Sequence, residues 1–470
     1  MMKKNQVFLQ IILFLAVPFL SFSQNFSGYS YDNFSGIQRL SLNPAYVVDS
    51  PYNVDINLFG GSIFVGNDYA VLDFGDKLLK GEFDTIDDSI FKVIDESTGS
   101  EANNFNFNSE LLGPSFMFNL GKSSAIGVFT KARYVISVSD INVAAYDRFV
   151  NEGFDTGADY SLDILDSAIS THLWGEVGLT YGRVLHKTDY SLFKAGASFK
   201  YIQGGGNAFI AFKNTVIKYN ATSPETVDTS GELSYGASFD IDGALDGGNG
   251  GISDYFNGDA SGIGFDIGAV YQWSDKLKEG EEELKRPRFY KYRLAISVTD
   301  IGSINYPTGS LKKYDLNKIG INPDDLEGDD FLTIIDNLYT GQISDDKLVV
   351  QLPTAAHINF DYSLTDHLYI NLNGDFTLSD VGNNAGEIVP SFLLTPRYES
   401  KWISAYLPIN YDAYKNMAMG IGVRLGPVFV GSNTALSALF KPIKKVDLHF
   451  GVKIPLYKKI KKKTQEEDEN

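Results

Sequence analysis

The feature that most constrains this chain is a run of segments, each about ten residues long, in which every second side chain is apolar. The last segment is the clearest. Val446, Leu448, Phe450, Val452, Ile454 and Leu456 share one face, and Asp447, His449, Gly451 and Lys453 share the other. Leu368, Ile370, Leu372 and Phe376 repeat the pattern against His367, Asn371, Asn373 and Asp375. So do Ile403, Ala405, Leu407 and Ile409, then Met417, Met419, Ile421, Val423 and Leu425. Leu294, Ile296 and Val298 oppose Arg293, Ser297 and Thr299. A period of two means strands with one apolar face. That face could meet the core of a soluble sandwich or the lipid of a membrane, and alternation alone does not separate the two.

The connections between segments separate them. Short turns fall near Gly121-Lys122, His186 to Asp189, Leu364 to Asp366, Glu399-Ser400 and Gly426-Pro427, with Asp275 to Arg288 a longer, charged member. Long, acidic loops are expected between them, at 73–104, 138–171, 204–261, 304–354, 379–387, 411–414 and 434–445. Short turns on one side and long loops on the other describe an outer-membrane barrel. The expectation is an all-β, transmembrane barrel of about 14 antiparallel strands over residues 53–457, with both termini in the periplasm. Val54 to Leu72 reads either as one strand kinked at Gly60-Gly61 or as a hairpin.

The start of the chain agrees with this compartment. Lys3 and Lys4 precede an apolar run from Val7 to Leu20, and Ser21-Phe22-Ser23 places small residues where a signal peptidase reads. This predicts a signal peptide over 1–23, cleaved before Gln24. The run is short of the roughly 20 residues that span a bilayer. Residues 24–52 lack alternation and read as a plug within the barrel or as a periplasmic leader before it. The tail 458–470 is basic, then acidic, and reads as a periplasmic extension.

Composition narrows the function. The chain has 470 residues, 45 glycines, 13% aromatics, no cysteine and a net charge of −19. Without cysteine there is no disulfide framework and no thiolate metal site. Such an acidic chain is a poor nucleic-acid partner.

Several motifs resemble known proteins. Ser41-Leu42-Asn43-Pro44-Ala45, Asp55-Ile56-Asn57-Leu58-Phe59, Gly113-Pro114-Ser115-Phe116-Met117, Gly426-Pro427-Val428-Phe429-Val430-Gly431-Ser432 and Gly451-Val452-Lys453-Ile454-Pro455-Leu456 resemble a family of Bacteroidota outer-membrane proteins that is a domain of unknown function. That family is similar to the FadL-type barrels, transporters of hydrophobic compounds with 14 strands and an N-terminal plug. The type IX secretion shuttle barrel belongs to the same wider group. The resemblance implies a plug element at Asn43, Pro44 and Ala45, and either transport of a hydrophobic small molecule or service to surface or secretion proteins. It places no lipid-contacting residue.

If the apolar face meets outer-membrane lipid, Lys131, Arg133, Glu176, Arg293, Asp361, Asp375, Arg424, His449 and Lys453 point into the lumen. They would pair across it and hold it shut, or line a path or touch the plug. Trp174, Trp273, Trp402, Tyr271, Tyr406 and Tyr457 lie near strand ends and fit interfacial girdles, though ordinary strand positions would explain them too. Asp240-Ile241-Asp242-Gly243-Ala244-Leu245-Asp246 has the start of a calcium loop. Its twelfth position is Gly251 instead of Glu, so a solvated acidic loop is the better reading. Gly204-Gly205-Gly206 lacks the Lys-Ser or Lys-Thr of a phosphate loop. His172, His186, His357, His367 and His449 are scattered, and no nucleophile elbow is present. Neither an enzyme, a metal nor a cofactor is expected.

Overall fold

The computed structural model describes residues 26–457 except 27, 74, 76–90, 94–102, 122, 143–157, 239–258, 276–289, 308–309, 327–330, 344–347, 380–388 and 414–416. Fourteen antiparallel strands form the wall. They are β1 (Tyr52–Asn67), β2 (Asn103–Leu112 with Ser115–Asn119), β3 (Ser124–Ile141), β4 (Ala168–Lys187) and β5 (Ser191–Asn220). Next come β6 (Ser261–Trp273), β7 (Tyr292–Tyr306), β8 (Leu348–Gln351 with Ala355–Ser363), β9 (Leu368–Thr377) and β10 (Ser391–Glu399). The last four are β11 (Ile403–Tyr406 with Ile409–Asp412), β12 (Met417–Met419 with Ile421–Leu425), β13 (Val428–Ser432) and β14 (Lys445–Tyr457).

Each strand pairs with the next, and β14 returns to β1 in a register from Tyr52↔Tyr457 to Gly66↔Lys445. The sheet is therefore a closed barrel with no wall edge to satisfy. The two faces divide as the alternation requires. Val177 and Leu179 on β4, Ile263 and Ile267 on β6, Ile296 on β7, Ile358 on β8, Leu372 on β9 and Phe392 on β10 are exposed on the outside. An apolar surface that extends around a closed barrel needs lipid to cover it. Among the described residues no helix is long and apolar enough to cross a membrane. At Gly426 the turn takes φ +57, which a side chain would disfavour, and Pro427 completes the turn before β13.

The structure departs from the sequence reading in three places. Tyr52–Asn67 is one continuous strand, and Ala70–Leu72 pairs separately with Phe91–Val93. Much of the expected loop at 204–261, and parts of those at 138–171 and 304–354, are β-structure. β5 runs on to Asn220 and carries Thr226–Ala237 and Tyr160–Leu165 beside it. Ser310–Asp315, Lys318–Ile321, Gly341–Ile343 and helix α1 (Phe331–Leu338) complete a cap at the long-loop end of the barrel. Tyr219, Val227, Leu233, Tyr314, Ile321, Ile335 and Tyr339 form its own core. Third, Trp174 and Tyr406 are buried in the lumen, not at the membrane interface. They share strand parity with the inward Glu176 and Ser404, and a side chain's face follows parity before residue type. The acidic segment around Asp240, the signal and the tail lie outside the described residues.

Candidate functional site: the lumen and its plug

Residues 26 and 28–50 lie inside the barrel, nearly all of them buried. They form three 3-10 turns, Tyr29–Tyr31, Gly36–Ser41 and Pro44–Val48. Irregular backbone at membrane depth is tolerable there because protein, not lipid, surrounds it. Asn43 sets the third turn. Its Oδ1 accepts from Ala45 N at 2.9 Å, capping the turn, and Pro44 follows at the first position, where the missing amide hydrogen costs nothing. Asn43 Nδ2 donates to the β6 and β7 carbonyls of Ala269 and Ile296, at 3.2 and 2.9 Å. The wall makes room with glycine. A Cβ on Gly196 would come within 2.6 Å of Ala45 N and the Pro44 carbonyl carbon. Ile37, Leu40, Ala45, Tyr46 and Val47 pack on Met117, Ala125, Val270 and Ala295, and Tyr29 stacks on Phe429 at 3.8 Å.

Charge fixes the rest of the plug. Asp32 accepts from Arg424 Nε at 3.0 Å. Asn33 Nδ2 donates to Glu399 Oε2 at 2.8 Å, and its Oδ1 accepts from Arg293 NH1 at 2.9 Å. Asp49 meets Lys194 at 2.5 Å, Arg293 at 3.1 Å and Arg39 at 3.4 Å. Lys453 contacts the Phe34 carbonyl and stands 3.6 Å from Asp55, which also accepts from Ile37 N at 2.8 Å. Behind these, Asp361 takes Arg293 at 2.8 Å and Arg397 at 2.5 Å.

A second charged layer lies above the plug and belongs to the wall alone. Lys131 bridges to Glu176 at 2.9 Å and approaches Glu110 at 3.8 Å. Arg133 meets Asp300 at 2.6 Å, and Lys200 meets Asp300 and Asp266 at 2.5 and 2.6 Å. Ser41 Oγ reaches Glu110 at 3.3 Å from below. Nearby, His357 Nδ1 pairs with Asp375 Oδ1 at 2.6 Å. Above this ring the lumen turns apolar. Val135, Trp174, Ile202, Ile304, Tyr306 and Leu352 pack across it, with His172 Nε2 to Tyr306 Oη at 3.0 Å. A small space between the plug and the wall at β7, β8 and β9, lined by Tyr31, Leu42, Asn43, Tyr46, Ala295, Ser297, His357, Asn359 and Asn373, measures about 10 Å³. That is room for about one water.

The structure thus sets the nine lumen-facing positions as follows. Arg293, Arg424 and Lys453 face the plug, and Asp361 stands behind Arg293. Lys131, Arg133 and Glu176 form the ring, with Asp375 beside it. His449 stands apart, 3.3 Å from Tyr406 Oη. Sequence reasoning missed Asp32, Asn33, Asp49, Lys194, Lys200, Asp266, Asp300, Arg397 and Glu399. Strand parity was available for the wall members among these, since Lys194, Lys200 and Ser198 alternate with Phe193 and Phe199. No comparable signal marks Asp32 or Asp49. Among the described residues no group of three His, Asp or Glu side chains is placed to hold a metal.

A closed wall of 14 strands, apolar outside and filled by its own N-terminal segment, defines a plugged outer-membrane β-barrel. The chain belongs to a family of unknown function, DUF5723, matched over residues 44–433. No curated protein matches the sequence. Among solved structures it is similar to the toluene transporter TbuX of Ralstonia pickettii, at 10% identity and a TM-score of 0.41, over 90% of this chain and 94% of that one. It is also similar to a FadL homologue of Pseudomonas aeruginosa, at 11% identity and a TM-score of 0.38, over 93% and 98%. The translocator domain of the autotransporter NalP from Neisseria meningitidis follows at 8% identity and a TM-score of 0.32, over 86% and 88%. Identities this low transfer no ligand and no residue role.

Proposed function

We propose that the protein is a plug-gated outer-membrane barrel that admits a hydrophobic or amphipathic small molecule, exported through a cleaved signal in a bacterium of the Bacteroidota. One observation carries this reading: an apolar layer packed across the lumen stands above the charged ring and above a plug whose anchors are polar. Solute entering from outside meets Trp174, Tyr306, Ile202, Ile304 and Leu352, a lining that favours apolar surface. Below, hydrogen bonds and ion pairs hold the plug. Desolvation offsets most of the Coulomb gain of such pairs, and water can replace their partners as the plug shifts. Residues 26 and 28–50 are packed against the wall at the plug's height, so passage requires that shift.

The test is the full chain in liposomes. Entry of an apolar probe should exceed that of a polar sugar of equal size. Deleting residues 26–50 should raise the sugar's permeation most. No flux of either solute, with or without the deletion, would sink the proposal. A second reading, an accessory or scaffold barrel for surface or secretion proteins, draws on the extracellular cap, which has a core of its own. Crosslinking on intact cells that recovers no partner above background would remove it.

A further inference from the structure

Asp49 ends the Pro44–Val48 turn and is the plug carboxylate nearest to water. Its side chain keeps 10% of its exposure, whereas that of Asp32 keeps none. Lys194, Gln272 and Arg293, which surround it, lie within three residues of the periplasmic ends of β5, β6 and β7. Oδ1 accepts from Lys194 Nζ at 2.5 Å and from Gln272 Nε2 at 2.7 Å. Oδ2 accepts from Arg293 NH1 at 3.1 Å and from Arg39 NH2 at 3.4 Å. Three of the four donors therefore belong to the wall.

Those three are positioned without help from Asp49. Gln272 Oε1 accepts from Lys194 at 2.7 Å, which turns the amide's NH₂ toward the carboxylate. Asp361 holds Arg293 NH2 at 2.8 Å. Among the described residues Asp49 is the one carboxylate paired with Lys194. Remove it, and a buried ammonium keeps a neutral amide for company, which is an unfavourable state that any accessible anion of the right shape would relieve. Two charged donors and an amide, arranged on both oxygens, suit a planar carboxylate.

We infer that the periplasmic ends of β5, β6 and β7 form a carboxylate receptor, that Asp49 is its internal occupant, and that a small carboxylate solute reaching it from the periplasmic mouth competes with Asp49 and loosens the plug. The loosening deepens the gating reading and rests on it; the receptor does not.

The experiment is chemical rescue in the full-length protein. In Asp49→Ala, amide exchange over residues 36–50 should accelerate at least about tenfold, as the local opening becomes easier. Millimolar acetate should recover most of that protection, whereas acetamide, its neutral isostere, should not. Asp49→Asn keeps the shape and loses the charge, and should respond in the same direction. In Asp49→Ala/Lys194→Met the acetate effect should vanish. In the unaltered protein acetate should act oppositely and speed exchange in the plug. Equal effects of acetate and acetamide, or rescue that survives loss of Lys194, would overturn the receptor. Rescue without solute flux in any variant would leave the receptor standing and remove the transport reading. Flux without any acetate response would do the reverse.

Discussion

The two charged layers of the lumen are built from the same residue types but joined differently. In the upper ring, Lys131, Arg133, Lys200, Glu110, Glu176, Asp266 and Asp300 all come from the wall, and each pair ties strand to strand. In the lower layer Arg424, Arg293 and Lys194 come from the wall, while Asp32 and Asp49 come from the plug. The ring's pairs cannot part without deforming strands that hydrogen bonds hold on both sides. The lower pairs can part when one short segment moves. Identical chemistry thus braces the barrel at one height and fastens a removable part at another.

Substitutions can break or sharpen this contrast. Asp361 is the hinge of the lower layer, between Arg293 and Arg397 and accepting from Tyr290 Oη at 2.5 Å. Asp361→Ala leaves Arg293 with Asp49 and Arg397 with Glu399 as their remaining carboxylate partners, and should cost about 3–5 kcal/mol. Urea unfolding of the folded barrel would measure it, and plug exchange should accelerate as well. Asp300→Asn removes the charge shared by Arg133 and Lys200 and should cost about 2–4 kcal/mol. Here exchange in residues 36–50 should stay unchanged while unfolding shifts. Equal acceleration of the plug in both variants would erase the distinction between the layers. Asn43→Ala loses a cap and two bonds to wall carbonyls, for about 1–2 kcal/mol. Its effect should appear as faster proteolysis or exchange over residues 44–48, with little change in urea. The smallest effect belongs to the cap outside. Lys312 and Asp336 meet at 3.1 Å with 26% and 48% of their side chains exposed. Lys312→Ala should move unfolding by less than about 1 kcal/mol.

Strand parity made the wall legible in the sequence. Once the outer face was identified in β14, the lumen positions of Lys453, His449 and Asp447 followed from spacing two, and the same logic reaches Arg424 and Arg293. For Trp174 and Tyr406 the girdle reading sets residue type above parity, and their burial favours the other reading, ordinary strand positions. An aromatic side chain near a strand end suits the interface in general, yet Trp174 alternates with the lipid-facing Val177 and Leu179 and so must turn inward. The cap was hidden for another reason. Its strands carry apolar residues for a small local core, so β5 continues past Gly204-Gly205-Gly206 with no lipid face to advertise it. The plug's partners were out of reach entirely. Asp49 meets Lys194 because of the height at which an irregular segment crosses the lumen, and no periodicity encodes that.

β13 has five residues, the fewest in the wall. Beyond Ser432 the chain leaves the ladder and folds into α2 (Ala435–Phe440) before β14 begins at Lys445. Beside that gap, side chains take over bonds that a full strand would have made. Met419 N donates to Ser437 Oγ, and the Met417 carbonyl accepts from Lys441 Nζ, both at 2.8 Å. A bond through a freely rotating side chain must repay rotamer entropy that a strand's own backbone does not carry. In a wall otherwise stitched by cooperative ladders, this seam is held least by backbone pairing, and its amides are expected to be the first in the wall to take up deuterium.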